Sequence, residues 1–76
     1  MTRDPKVQDI LSRYAAGERD FRNLALCDRD YDFDNSDLRR AVFTGSFLSG
    51  SFRNADLRGV DFSNCNVKAC DFSGAR

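Results

Sequence analysis

Three thiols and a run of carboxylates are the groups in this chain best suited to chemistry. Cys27, Cys65 and Cys70 could hold a metal or form a redox pair. Asp28, Asp30, Asp32 and Asp34 put acids at alternate positions, as a calcium loop does. Neither reading meets its own requirements. A structural zinc site wants a full tetrahedral set of Cys and His, commonly with a CxxC knuckle. Cys65 and Cys70 are five apart, and the chain has no histidine. The acidic run lacks the glycine and the closing glutamate at the offsets a calcium loop needs. The cysteines read better as small packed residues, because a free thiol packs like a small hydrophobe. The aspartates read as a solvated corner. Without histidine the commonest general base and proton shuttle is missing. No glycine-rich phosphate loop opens a helix, and no nucleophile has an adjacent base. The sequence therefore assigns no catalytic, cofactor-binding or metal residue, and the chain is not expected to be an enzyme.

Charge narrows the partners. The 76 residues carry 12 basic and 12 acidic side chains, for a formal net charge of zero. Phosphate backbones are bound by a basic surplus, so direct nucleic-acid binding is not expected. No stretch has the length and apolar character of a signal peptide or a membrane span, so the expected location is cytoplasmic, away from membranes. An odd number of cysteines without framework spacing then gives no disulfide to expect.

Two segments must position these groups. Residues 1–18 contain a helix. Asp4 can cap it, Pro5 suits its first turn, and Val7, Ile10, Leu11, Tyr14 and Ala15 make one apolar stripe. Gly17 is a plausible stop. Residues 19–76 fit neither helical nor alternating spacing but do fit a five-residue repeat. Its centres are Phe21, Leu26, Phe33, Leu38, Phe43, Phe47, Phe52, Leu57, Phe62, Val67 and Phe72, and they include all seven phenylalanines. Small or medium residues such as Ser36, Ala41, Ala55, Cys65 and Cys70 stand two before a centre. Side chains of a strand alternate with period two, so centre and minus-two residues both point inward, and the residues between must turn a corner. Four such corners close a coil, and coils stack through backbone hydrogen bonds.

Ala55-Asp56-Leu57-Arg58-Gly59 and Val60-Asp61-Phe62-Ser63-Asn64 carry the repeat most clearly. Here the chain resembles the pentapeptide-repeat family, from about Arg19 to Ala75. Its leader, Leu11 to Phe21, resembles those of cyanobacterial members. The resemblance implies an all-β solenoid: a right-handed quadrilateral β-helix of just under three coils, with an N-terminal capping helix.

The repeat slips twice, with seven residues from Leu26 to Phe33 and four from Phe43 to Phe47. Leu48 is an alternative centre, but Phe47 is preferred because it puts Gly45 at the small position. In that register Val42 and Leu48 face outward and Tyr31 lies by the longer corner, so these three form a candidate interaction surface. The other candidate is the far end. There Leu57, Phe62, Val67 and Phe72 would form a bare coil, since no capping segment follows in the sequence. The expected function is a protein–protein interaction or scaffold module, self-associating through that end, with an unidentified protein partner. Two alternatives remain open. One is a DNA-mimicking modulator of gyrase, which the resemblance allows but the neutral charge disfavours. The other is a fragment that completes another solenoid.

Overall fold

The computed structural model describes residues 3–76, so Met1 and Thr2 of the first segment lie outside the described residues. Helix α1 spans Pro5–Ala15. The Asp4 carboxylate accepts from the Lys6 N–H at its start, and Pro5, which has no N–H, needs no acceptor there. Strands β1 (Ala25–Asp32), β2 (Phe47–Ser51) and β3 (Asn66–Asp71) form one parallel sheet in the order β1-β2-β3. The chain reaches its own neighbour after 22 residues from Leu26 to Leu48, and after 19 from Tyr31 to Gly50. Outside the sheet the same parallel pairing continues as single bridges, Asp20 to Val42 to Asp61 and Asp37 to Asp56. Backbone bonds of 2.7–3.1 Å tie successive passes together at each of these positions.

The five-residue step has a local cause. Centre residues are followed by a tight turn in which the minus-two residue of the next repeat donates back to the centre's carbonyl: Ser36 to Phe33, Ala41 to Leu38, Ser46 to Phe43, Ala55 to Phe52. The third residue of each turn has positive φ, as a type II turn requires. Asn23, Asn35, Gly45, Asn54, Gly59, Asn64 and Gly74 fill that place, with Arg40 the exception. Just before seven of the centres, an Asp carboxylate or Asn amide oxygen accepts from the backbone N–H two residues on, at 2.8–3.3 Å. This Asx bond fixes the approach to the turn and explains the acidic residue that precedes most centres.

Inward residues form four rows. Phe21, Phe43 and Phe62 stack with centroids 5.8 and 5.7 Å apart, and Phe33, Phe52 and Phe72 stack at 4.8 and 5.3 Å. Those two aromatic rows meet edge-to-face, Phe52 on Phe62 at 6.4 Å and Phe62 on Phe72 at 5.9 Å. Leu38 sits level with Leu57, and Leu26 with Leu48. Phe21, Phe33, Phe43 and Phe52 are fully buried, each contributing about 1.5–3 kcal/mol of hydrophobic stabilisation before entropy. Val7 and Ile10 of α1 are buried in the same cluster. Beside them the Tyr14 hydroxyl donates to the Arg39 carbonyl at 2.9 Å, and Arg29 pairs with Asp4 at 3.2 Å.

The structure corrects the expected register. Leu48, not Phe47, is the inward centre: Leu48 is 4% exposed and Phe47 54%. Ser46 is the buried minus-two residue, its hydroxyl accepting from the Leu24 N–H, while Gly45 takes the positive-φ place of the turn. The step from Phe43 is thus a regular five, and the shortening falls between Leu48 and Phe52. Both irregular steps then lie at one corner, the one that β1 and β2 cross without a tight turn. Bulges in both pairings, Leu26 to Tyr31 and Phe47 to Ser49, mark the same place.

Candidate interaction surfaces

Of the expected surface trio, two members are not on the surface. Leu48 belongs to the core, and Tyr31 is 1% exposed. Tyr31 stands two before Phe33, so strand parity points it inward. It fits there because its partner across the sheet is Gly50. Its hydroxyl donates to Asp28 at 2.5 Å, which holds that carboxyl below its ordinary range and raises the phenol. Val42 is half-buried in the bridge between Asp20 and Asp61. The three do not form a patch.

Phe47 takes their place. Its exposed ring lies beside a shallow depression of about 290 Å³ lined by Cys27, Leu48, Ser49, Asn66, Lys68 and Ala69. The signal that locates it is present in the sequence. Asn or Gly two residues after a centre marks seven of the eight regular turns, and Gly45 in that place makes Phe43 a normal centre and Leu48 the next.

The far end behaves differently. Leu57, Phe62, Val67 and Phe72 pack against the core on one side and are half-exposed on the other. With Ala75 and Arg76 they line an open apolar depression of about 380 Å³. β3 is an edge strand, paired only with β2 among the described residues. One end of the molecule thus offers apolar rows and a line of backbone donors and acceptors together.

The groups singled out for chemistry are engaged structurally. The Cys65 thiol donates to the Phe43 carbonyl at 2.7 Å and Cys70 to the Leu48 carbonyl at 3.4 Å. Burial pushes the Cys70 thiol up, which makes it a poor nucleophile, while Cys27 is exposed. Among the described residues no group of three or more His, Cys, Asp or Glu is placed to hold a metal. The acidic corner spends its carboxylates on the protein. Asp30 accepts from Ser49, Asp32 from the Asp34 N–H, and Asp34 from Ser51 and Arg53.

On the row of Leu38 and Leu57, Arg39 forks onto Asp37 and Arg58 onto Asp56, and Arg39 also reaches Asp56 at 3.8 Å. The Arg39 guanidinium and N–H hold Asp37 down to about 2. These pairs are more than a fifth exposed and stiffen the surface weakly. No helix among the described residues is long and apolar enough to cross a membrane.

A family model described as pentapeptide repeats, in nine copies, matches residues 29–76, and a comparison with curated proteins finds no match. Such repeats imply a fold of the β-helix type, and their proteins are generally non-catalytic structural or interaction modules. With the stacked rows and five-residue turns in view, the chain belongs to the pentapeptide-repeat family.

Proposed function

We propose that this chain is a protein–protein interaction module that associates with a second copy of itself through the end formed by Leu57, Phe62, Val67 and Phe72. Its coil is right-handed and four-sided, and α1 caps the opposite end. The observation that carries the reading is the asymmetry of the two ends. At one, Val7 and Ile10 cover the first aromatic pass; at the other, four core-type residues are half-exposed beside the edge of β3 that no strand pairs among the described residues.

A cover for that surface must supply both apolar rows and strand hydrogen bonds in the same plane. The equivalent end of a second copy supplies both, and a two-fold arrangement buries the same patch on each partner. The zero net charge leaves no long-range repulsion between copies.

Sedimentation velocity over a wide concentration range tests the proposal. The wild-type chain should shift from monomer to dimer as concentration rises. Val67→Lys places a charge on the half-exposed row and should hold the chain monomeric with unchanged far-UV circular dichroism. A wild-type chain that stays monomeric throughout rules the proposal out, as does a Val67→Lys variant that is folded and dimerises as readily.

A further inference from the structure

We propose that the groove between the end of α1 and the Arg39–Arg40 turn is a binding site for a small phosphorylated ligand, with Arg40 as its principal contact. This site is separate from the apolar end.

The first observation is a backbone one. In eight turns the third residue has positive φ, and in seven of them it is Asn or Gly, the residues that tolerate it. The eighth is Arg40, at φ 65° against 57–61° at its Asn counterparts. An arginine held in that region is strained, and strain of this kind concentrates at sites where a side chain must be aimed. The aim is visible in the next pass. Gly59 lies directly over Arg40, and a Cβ there would come within 3.2 Å of the Arg40 Cγ and 3.8 Å of its Cα. Glycine at 59 leaves room for the Arg40 stem to lie across the turn and deliver its guanidinium to the groove.

The second observation is where the charge sits. The groove is open, about 630 Å³, and is lined by Tyr14, Arg19, Arg39, Arg40, Arg58 and Gly59. The carboxylates bound to these arginines are Asp37 and Asp56. Four cations against two anions leave a local surplus of two in a chain whose net charge is zero. Arg19 is spoken for as a wall: it lies over the Tyr14 ring at 3.7 Å and donates to the Tyr14 and Glu18 carbonyls. Arg39 and Arg58 use Nε and Nη2 on their aspartates. Among the described residues Arg40 makes no ion pair and no side-chain hydrogen bond.

Guanidinium forks match phosphoryl oxygens bidentately, and a phosphoryl dianion matches the surplus of two. The interleaved Asp37 and Asp56 would repel a long polyanion laid along the row, so a compact ligand fits and a nucleic-acid strand does not.

Titration calorimetry at low ionic strength, with inorganic pyrophosphate as the probe, tests this. Wild type should bind one equivalent saturably. Arg40→Asn, a residue suited to the same φ, should keep the fold and weaken binding about tenfold or more, the loss of a charge-assisted contact. Arg22→Asn, outside the groove, should leave binding unchanged. Three results would each overturn the proposal: no saturable binding to folded wild type, equal weakening by Arg22→Asn and Arg40→Asn, or binding of a single-stranded oligonucleotide where pyrophosphate does not bind.

Discussion

Replacing Gly50 with alanine tests the corner where the repeat changes length. Gly50 has φ +132° and lies against Tyr31 of the previous pass. A Cβ there would intrude on the Tyr31 N and O and sit 2.8 Å from its carbonyl carbon. These are backbone atoms of a paired strand, so β1 and β2 must part. Gly17 is the natural control, with φ +105° and nothing within 4 Å of its would-be Cβ. Both substitutions carry the conformational cost of a side chain at positive φ, about 1–2 kcal/mol. Gly50→Ala adds the loss of about two rung hydrogen bonds, such as Phe33 N–H to Ser51 O, at roughly 1 kcal/mol each, and loosens the Tyr31 ring. Its total is about 3–5 kcal/mol, against a global stability of about 4–11 kcal/mol for a chain of this length. Urea unfolding followed by far-UV circular dichroism reads the difference. With a slope of about 1 kcal/mol per molar, Gly50→Ala should lower the midpoint by about 3 M or more and Gly17→Ala by about 1–2 M. Equal shifts for the two variants would refute the close approach of β1 and β2.

Three further outcomes follow from the geometry. Leu48→Ala should cost about 2–5 kcal/mol in the same unfolding experiment, and Phe47→Ala about 0.5 kcal/mol, because only Leu48 fills the core. Acid should destabilise the chain in a defined window. Asp37 is held from 3.8 down to about 2, and Asp34 and Asp56 are held below their ordinary value by donors from Ser51 and Arg58 respectively. Because these values are depressed on folding, their contribution is present above the ordinary carboxylate range and lost as pH falls toward about 2. The melting temperature should hold down to about pH 5 and then drop, and Asp37→Asn should flatten part of that drop. Ellman's reagent should modify Cys27 at once in the folded chain and Cys70 slowly, since Cys70 is half-buried with a raised thiol pKa.

The repeat was legible in the sequence because one physical demand, a packed centre after each tight turn, recurs every five residues. Phe21, Leu26, Phe33, Leu38, Phe43 and Phe52 could be read as buried from that spacing alone. Phe47 is misleading because Gly45 suits two places, the small inward position two before a centre and the positive-φ place of a turn. Gly45 at positive φ settles the local register, and Leu48 then follows five residues after Phe43. Tyr31 is harder to place from sequence. Its inward direction follows from standing two before Phe33, but its size hid it among small residues at that position. What accommodates the ring is Gly50, nineteen residues on, and that complementarity appears only once the passes are paired. The Arg40 groove needed tertiary structure as well, since α1 and two separate turns meet there.

The measurement that bears most directly on the proposed association is a concentration series of amide chemical shifts for the isotopically labelled chain. Association through the apolar end predicts shifts that move with concentration at Leu57, Phe62, Val67, Phe72 and Ala75, and stay fixed at Phe21, Asp37 and Phe47. Movement confined to Phe47 and Cys27, or no movement anywhere, would contradict it.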